Sequence, residues 1–353
     1  CLPTWRSIQA WLPCCLVRPA QWFSRRASTS ASGTPSASAP HLFTSARPRP
    51  TPFSGEERAE TIRAALPEAD RERIAFLPVR DWYDQARWAE AVRQGVARLH
   101  PGASSVLLVG HLKDETSSYL RDFPEWAHDE AGRQGDIHAS ALRDAYFEAA
   151  ADASIEPALA AIAHKVPAST LAFLRAWAGQ PDYARIAEEW ACLRRENAMW
   201  AGSPYPPVFV TVDAVIQCAG QVLLVQRGRA PGKGLFALPG GFLEPRETVW
   251  QSGLGELAEE TALRLPDSGV GAAFKAVKVF DHPDRSQRGR VITHAHWFDL
   301  GQRPLPAVQA GDDAAATRWV PIGELAAMEG QLHDDHFHIL DSFLGLRAGT
   351  QSS

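Results

Sequence analysis

Three glutamates lie close together in the stretch LPGGFLEPRETVWQSGLGELAEET, which runs from Leu238 to Thr261. Glu256, Glu259 and Glu260 are separated by three and four positions, so a helix places them on one face. Like charges this close repel one another unless cations lie between them. Because hard carboxylate oxygens suit Mg²⁺ or Mn²⁺, the spacing predicts a divalent-metal site. The alternative is a solvated acidic helix face.

Two adjacent glycines and one isolated acid precede this group. We expect Gly240 and Gly241 to let the backbone approach a diphosphate, with the Gly241 carbonyl as a further metal ligand. Glu247 is expected to support the site. Metals held here can bind a pyrophosphate and lower the pKa of an attacking water. The residue types therefore predict metal-dependent hydrolysis of a diphosphate.

A second run, DHPDRSQRGR, carries groups that suit the remainder of a nucleotide substrate. Arg285, Arg288 and Arg290 can each clamp phosphate oxygens through paired hydrogen bonds. Asp281 or Asp284 can accept hydrogen bonds from ribose hydroxyls. The alternative for this run is a charged surface loop.

Two groups of histidines also suggest metal ligands. His294 and His296 are two positions apart on a predicted strand and therefore face the same side. Because a carboxylate site is already predicted, we prefer a structural role for both histidines. The run HDDHFHIL (His333–Leu340) lies on a predicted terminal helix, where we expect it to pack the domain.

The elements around these groups predict an α/β domain. Phe209–Gln217 alternates as a strand, and Gln221–Arg227 is its hairpin partner across an Ala-Gly turn. Thr317–Val320 is a further predicted strand. The Pro-rich segment Ala201–Val208 is a linker, which sets the start of this domain at residue 201.

Helices and apolar strands alternate before the linker, starting where Ser54 and Glu57 have the spacing of a capping box. Arg73–Val79 and Ser104–Gly110 predict buried strands, and Asp84–Leu99 between them is helical in pattern. This order predicts a parallel sheet, whose ligands collect beyond the carboxyl ends of the strands. Candidate phosphate-binding residues there and on the next helix are His111, Lys113, Ser117, Ser118 and Arg143. Without a ligand, these residues would be an ordinary polar loop and a solvated helix arginine.

Composition limits the function classes. The 353 residues are enough for two domains, and the net charge of −5 argues against a general nucleic-acid binder. No apolar run approaches the roughly 18 residues that span a bilayer. Cys192 and Cys218 are isolated and lack metal-ligand spacing, which predicts a reducing compartment, the cytoplasm.

Residues 1–52 differ from the rest of the chain. The first 55 residues contain six arginines and no Asp or Glu, and Ser24–Pro52 shows no helical or strand periodicity. Such a segment cannot bury enough apolar surface to fold alone. It is interpreted as a transit peptide, a disordered tail or non-native sequence from a shifted reading frame or a faulty start.

The stretch that carries the acids resembles the Nudix box, G-x5-E-x7-R-E-U-x-E-E-x-G-U, in which U is apolar. Gly241 and Glu247 match its first two fixed positions, and the three clustered glutamates match its end. Gly255 stands where the box has Arg, a residue that the resemblance implies orients a carboxylate. Its loss is expected to lower turnover by about 10–100-fold, as for other partners of metal ligands. Ala262 replaces the second Gly, and a mild effect is expected because alanine favours helix.

Residues 52–345 resemble the bifunctional nicotinamide-mononucleotide adenylyltransferase/Nudix hydrolases. The segments that carry the likeness are RDWYDQARW, LVGHLKDETSSYLRDFPEW, SALRDAYF, KVFDHPDRSQRGRVITHAHWFDL and GDDAAATRWVPIGEL. The resemblance implies an α/β protein: a truncated Rossmann-like nucleotidyltransferase domain over residues 53–200, then a Nudix α/β/α sandwich over residues 201–353. It further implies Mg²⁺- or Mn²⁺-dependent cleavage of ADP-ribose to AMP and ribose 5-phosphate. Asp312 or Asp313 competes with Glu259 as the general base.

The first half departs from this family. The family's G-R-F-x-P-x-H-x-G-H motif belongs well before PFSGEER, and these 353 residues contain no H-x-G-H. His138 also stands where a Ser is usual, although Ser140 and Arg143 remain. We therefore expect NAD formation from nicotinamide mononucleotide and ATP to be lost, and residues 1–52 to be non-native. There are three alternatives: an active bifunctional enzyme, a non-catalytic nucleotide sensor and the product of a pseudogene. The sequence leaves open whether the protein forms a homodimer.

Overall fold

A computed structural model describes most of the chain. The described residues are 17–19, 52–79, 85–110, 121–130, 139–151, 154–265, 267–311 and 314–346. From Phe53 onward, the chain divides into two compact units, residues 53–184 and residues 185–353, and the first unit also includes residues 17–19. Across the described residues, no helix has both the length and the apolarity needed to cross a lipid bilayer.

The first unit is mainly helical. Its helices are α1 (Gly55–Ala65), α2 (Glu68–Arg71), α3 (Gln85–Leu99), α4 (Ala139–Glu148), α5 (Glu156–Ile162) and α6 (Ala168–Trp177), and α7 (Pro181–Met199) runs across the division between the units. The predicted capping box at the start of α1 is confirmed. Ser54 Oγ accepts from the Glu57 amide at 3.1 Å, and the Glu57 carboxylate accepts from the Ser54 amide at 2.7 Å. Local side-chain chemistry thus fixes where this unit's first helix begins.

Three short strands accompany these helices. β1 (Val17–Pro19) pairs antiparallel with β2 (Val106–Gly110), and β2 pairs parallel with β3 (Ala127–Glu130). The strand predicted at Ser104–Gly110 and the helix predicted at Asp84–Leu99 are therefore confirmed. The pairing of β2 with β3 also confirms parallel order within this unit.

The strand predicted at Arg73–Val79 was wrong. Residues 74–79 are not in a strand, and their apolar side chains pack among described residues of α1 and α3 and beside Leu108 of β2. Leu77 fills the space beside Gly95 on α3, where an added Cβ would lie 2.5 Å from a Leu77 methyl carbon. A short apolar run therefore predicts that a segment is buried, but it does not predict that the segment is a strand.

The second unit is built on one sheet. Its strands are β4 (Val208–Cys218), β5 (Gln221–Arg227), β6 (Phe236–Ala237), β7 (Gly240–Phe242), β8 (Phe274–Phe280), β9 (Arg290–Asp299) and β10 (Ala314–Pro321). The order is β10-β5-β4-β9-β8, with β6 paired to β5 and β7 paired to β4. β4 and β9 run parallel, and the β4–β5 hairpin turns at Ala219 and Gly220, both with positive φ. The two strands predicted around this turn are confirmed.

Helices cover both faces of this sheet. They are α8 (Val249–Thr261), α9 (Asp267–Ala273), α10 (Ile322–Leu325) and α11 (His336–Leu344). Ala214 and Ile216 of β4 pack with Leu257 of α8, whereas Val215 packs with Phe337 of α11. Because adjacent strand residues point to opposite faces, β4 contributes to both core layers. The predicted α/β/α sandwich is confirmed.

Candidate active site

Helix α8 carries the three clustered glutamates, and its start is fixed by its own sequence. Thr248 caps the helix: its hydroxyl accepts from the Gln251 amide at 3.2 Å, and the Gln251 side chain accepts from the Thr248 amide at 3.0 Å. Leu257 is fully buried against the sheet. The apolar face of α8 therefore sets the direction of its acidic face.

Glu256 lies against the backbone of β7. A Cβ added at Gly241 would lie 2.2 Å from Glu256 Oε1, so any larger residue at this position requires the Glu256 side chain or the strand to shift. The glycine predicted to let backbone approach a diphosphate therefore also lets backbone approach a carboxylate. A side chain at position 241 would displace either the Glu256 carboxylate or β7.

Glu260 is held by the neighbouring glycine. Its Oε2 accepts a hydrogen bond from the Gly240 amide at 3.0 Å. Burial raises the pKa of the Glu260 carboxyl to about 7, the Gly240 bond acts in the opposite direction, and the negative charge of Glu256 raises it further. The two carboxylates are therefore close enough to repel each other, as the spacing predicted.

Glu259 and Glu247 are more open to solvent. Both side chains are exposed, and Glu247 Oε2 accepts from the Ser252 hydroxyl at 2.8 Å. Ser252 also accepts from the Glu244 amide at 3.2 Å, which ties the loop before α8 to the helix. Glu247 thus supports the start of the helix that carries the other acids.

The donor set fits a hard divalent cation. Three carboxylates share one helix face, next to the close approach between Gly241 and Glu256. A cation bound there would relieve the repulsion between Glu256 and Glu260. In the described part of the chain, however, no three His, Cys, Asp or Glu side chains already surround one point as metal ligands. Metal binding would therefore require side chains of this face to converge further, and Glu260 can keep its bond to Gly240 through Oε2 while its other oxygen faces a cation.

The two departures from the Nudix box differ in their structural consequences. Gly255 has space for a Cβ: among the described residues, the added atom would meet no heavy atom within 4 Å outside the helix's own backbone. Ala262 ends α8 in the left-handed conformation, with φ 57°. The mild effect expected for Ala262 assumed a helical backbone at this position. The backbone is left-handed there, so helix propensity does not apply. At a left-handed C-terminal position glycine is favoured over alanine.

Asp312 and Asp313, the candidate general bases, lie outside the described residues. The residues just before them are bound to the C-terminal end of α8. The Gly311 amide donates to the Glu260 carbonyl at 3.1 Å, and the Gln309 amide donates to the Thr261 carbonyl at 2.9 Å. A Cβ at Gly311 would lie 2.1 Å from the Glu259 carbonyl oxygen. This loop therefore passes directly over the helix end that carries the acids.

The three arginines predicted as phosphate clamps occupy different environments. Arg285 is 5% exposed, and its Nε and Nη2 donate to the two carboxylate oxygens of Asp335 at 2.9 and 2.7 Å. Arg288 lies 3.4 Å from a Glu196 carboxylate oxygen and over the ring of Phe242 at 5.6 Å. The paired bonds that Arg285 was expected to offer a phosphate are therefore made to Asp335.

Arg290 and Asp281 are joined through backbone. Arg290 Nη1 donates to the carbonyl oxygen of Asp281, while the Asp281 side chain is exposed. This bond closes the base of the loop that carries Arg285 and Arg288. Both Arg290 and the Asp281 carboxylate remain available for a ligand beside the loop.

The candidate phosphate-binding residues of the first unit are mostly outside the described residues. These are His111, Lys113, Ser117 and Ser118, together with His138. Arg143 is described on α4, partly buried, and its Nη2 donates to the Ser140 hydroxyl at 3.3 Å. The two residues that match the family's second motif are thus in contact with each other.

Of the two histidines predicted to be structural, His296 is buried. Its ring packs edge-to-face on Trp250 with centroids 5.7 Å apart, and burial lowers its pKa. Sequence reasoning missed a different buried group, Asp213 on β4. Asp213 Oδ2 accepts from the Thr293 hydroxyl at 2.6 Å. The sequence feature that could have identified Asp213 is its position as the single acid within the apolar strand FVTVDAVIQ.

Comparison with known proteins places this geometry in a family. A family model described as the NUDIX domain matches residues 207–343. The chain is 34% identical over 140 residues to an ADP-ribose pyrophosphatase of Methanocaldococcus jannaschii, covering 40% of this chain and 75% of that protein. The chain belongs to the Nudix family. This Nudix protein is also 33% identical over 147 residues to a nicotinamide/nicotinic acid mononucleotide adenylyltransferase of Acinetobacter baylyi, covering 41% and 73%.

Solved structures extend the likeness to both units of the Nudix protein. A bifunctional NMN adenylyltransferase/ADP ribose pyrophosphatase from Francisella tularensis is 31% identical, covers 85% of this chain and 87% of its own, and has a TM-score of 0.75. The same enzyme complexed with AMP and Mn ion gives a TM-score of 0.76 over the same shares. These matches confirm the predicted resemblance and the mixed α/β fold, including the Rossmann-like character of the first unit.

Proposed function

We propose that this Nudix protein hydrolyses the diphosphate of ADP-ribose to AMP and ribose 5-phosphate, with Mg²⁺ or Mn²⁺ as cofactor. The observation that carries the proposal is the close approach of Gly241 to Glu256 beside Glu260, at the Nudix-box positions. The ADP-ribose pyrophosphatase among the relatives and the Francisella enzyme complexed with AMP and Mn ion supply the substrate class.

The acidic face of α8 would hold the cations. Glu256, Glu259 and Glu260 supply carboxylate oxygens, the Gly241 carbonyl is a further ligand, and Glu247 supports the helix start through Ser252. When bound, divalent cations polarise a phosphorus centre and lower the pKa of water. The protein's own contribution is to keep β7 within contact of this face, so that a diphosphate lies beside the acids.

The loop between β8 and β9 would bind the substrate. Arg288 and Arg290 are proposed to contact phosphate oxygens, and the Asp281 carboxylate to accept from a ribose hydroxyl. Arg285 is proposed to position the loop instead, because its ion pair with Asp335 anchors it to the residues preceding α11. This division of roles replaces the expectation of three equivalent clamps.

A general base must accept a proton from the attacking water. Glu259 is exposed on α8, and Asp312 and Asp313 follow Gly311, whose amide is bonded to the Glu260 carbonyl. All three acids therefore stay as candidates for this role. Separate Asn and Gln substitutions would identify the base as the one that lowers kcat most with little change in KM.

The test is AMP release by the purified full chain. ADP-ribose is supplied with Mg²⁺ and, separately, with Mn²⁺, and Glu256→Gln is the inactive control. The proposal predicts metal-dependent release of AMP by the wild type, by Gly255→Arg, or by both. If neither releases AMP, hydrolysis is refuted. Tight ADP-ribose binding by calorimetry without turnover would then support a nucleotide sensor.

A second candidate activity is the formation of NAD from nicotinamide mononucleotide and ATP. It is favoured by the match to the Francisella bifunctional enzyme over 85% of this chain, which includes the first unit. The absence of an H-x-G-H from the 353 residues argues against it, because the resemblance implies that these histidines stabilise the transferring phosphate. An assay of NAD formation from nicotinamide mononucleotide and ATP would decide whether the adenylyltransferase activity is retained or lost.

A further inference from the structure

Helix α11 begins against the glycine-containing segment that faces the acids. The Leu238 amide donates a hydrogen bond to His336 Nδ1 at 2.8 Å. His336 is the first residue of α11, and Leu238 lies two residues before Gly240. A side chain from the opposite layer of the sandwich therefore holds the backbone that approaches α8.

This hydrogen bond fixes the protonation state of the ring. Burial lowers the pKa of His336 to about 4, so the ring is neutral at neutral pH. A neutral imidazole that accepts at Nδ1 carries its proton on Nε2. Nε2 lies 4.0 Å from Asp213 Oδ1, which places Asp213 as the neighbouring acid on that side of the ring.

Asp213 reaches the same segment from β4. Its Oδ2 accepts from the Thr293 hydroxyl at 2.6 Å. A Cβ added at Gly240 would lie 2.8 Å from Asp213 Oδ1 and 2.2 Å from the Val212 carbonyl oxygen. The Gly240 amide in turn donates to Glu260 Oε2 at 3.0 Å. Gly240 therefore lies between a buried carboxylate on one side and an acid of the Nudix box on the other.

The surroundings make this arrangement rigid. Asp335, the residue before His336, is 1% exposed and forms the ion pair with Arg285. The Phe236 carbonyl accepts from the His333 amide at 2.8 Å, so the turn before α11 is also bonded to β6. Buried polar groups that are hydrogen-bonded in this way favour one geometry.

We infer that His336 and Asp213 are positioning residues for Leu238–Gly241, and that they keep the Gly240 amide and Gly241 in register with the acidic face of α8. The inference deepens the proposed hydrolysis and rests on it only for the catalytic readout. It gives a role to a histidine that the sequence assigned to packing alone.

The test compares His336→Ala with His336→Asn. Asparagine Oδ1 takes the place of Nδ1 and can accept from the Leu238 amide, whereas alanine cannot. Hydrogen exchange at the Leu238 amide, followed by mass spectrometry or NMR, should accelerate by about 10-fold or more in His336→Ala and stay near the wild-type rate in His336→Asn. Ser342→Ala, on the same helix, is the matched control for a general loss of α11 stability.

Catalysis provides the second readout. His336→Ala should lower kcat by about 10-fold or more with KM nearly unchanged, and His336→Asn should recover most of the loss. Thr293→Val should lower kcat in the same direction, and Thr293→Ser should restore it. Unchanged Leu238 exchange in His336→Ala, or equal exchange defects in the Ala and Asn variants, would overturn the inference. Because exchange needs no substrate, it decides this point even if the wild type proves inactive on ADP-ribose.

Discussion

Gly241 and Glu256 are in van der Waals contact across the gap between β7 and α8, and an added Cβ at position 241 would lie 2.2 Å from the carboxylate oxygen. Position 241 cannot gain a side chain without moving the strand or the acid. The contact joins the first glycine of the Nudix box to its first clustered glutamate, fifteen positions along the chain. It explains in steric terms why that pattern begins with glycine.

Gly241→Ala should therefore abolish most turnover while the fold survives. The new methyl group must displace either β7 or the Glu256 carboxylate, and an error of about 1 Å in a catalytic group can cost about 100-fold in rate. The measurement is kcat for AMP release beside the thermal midpoint. Gly255→Ala is the matched control, since an added Cβ there meets no heavy atom within 4 Å. Full activity in Gly241→Ala would contradict the steric role.

Gly255→Arg should raise kcat by about 10–100-fold. A Cβ at position 255 meets no described heavy atom within 4 Å, and a guanidinium beside Glu256 and Glu259 would neutralise and orient the acids. Gly255→Ala should raise stability by about 1 kcal/mol through helix propensity without raising kcat. Steady-state kinetics and urea unfolding of the two variants separate these effects. An equal gain in kcat from alanine would show that helix stability, and not the guanidinium, was limiting.

Ala262→Gly should stabilise the protein by about 0.5–1 kcal/mol. Ala262 has φ 57°, where the alanine Cβ is crowded and glycine is not. Ala258→Gly, one turn earlier and within the helix, should instead destabilise by about 1 kcal/mol. Urea unfolding of both variants gives the comparison. A loss of stability in Ala262→Gly would mean that the helix end is not left-handed in solution.

Arg285→Ala should destabilise the fold by about 3–5 kcal/mol, because it leaves the buried Asp335 carboxylate without its partner. Arg290→Ala should change stability by less than about 0.5 kcal/mol and raise KM for ADP-ribose. The two variants thus separate an anchoring arginine from a substrate-binding arginine. If Arg285→Ala instead raised KM with unchanged unfolding, the phosphate-clamp role first expected for Arg285 would be restored.

Glu329 makes stability depend on pH. Burial raises its pKa to about 7, with a smaller effect from the Asp341 charge. A carboxyl whose folded pKa is raised stabilises the fold below its unfolded pKa near 4.5, and this contribution is lost as pH rises through about 7. As pH rises from 4.5 to 7, the unfolding free energy of the wild type should therefore fall relative to that of Glu329→Gln. Glu260 titrates similarly in both proteins and cancels in the difference.

Glu324→Gln is the control for this pH dependence, because Glu324 is exposed on the neighbouring turn. This variant tests whether removing a glutamate from this region is enough to produce the same pH-dependent difference. Parallel curves for wild type and Glu329→Gln would contradict the raised pKa.

The sequence by itself determined the local structure and the residue types of the site. The capping boxes at Ser54 and Thr248, the β4–β5 hairpin and the shared face of the three glutamates depend on contacts within a few residues, so spacing alone predicts them. The match of the box from Gly241 onward identified the family for the same reason. Each of these features depends on residues that are close together in the sequence.

Only the tertiary structure decided which partner each polar group meets. Arg285 was expected to bind phosphate and instead pairs with Asp335, fifty positions away, and His336 accepts from Leu238, ninety-eight positions away. Residues 74–79 pack beside α1, α3 and Leu108 of β2 without forming a strand, because hydrophobic burial has no direction of its own. Ala262 was judged by helix propensity, but its cost depends on a backbone angle set where the chain leaves α8. Long-range pairing follows from how the layers stack, and no spacing within a segment contains that information.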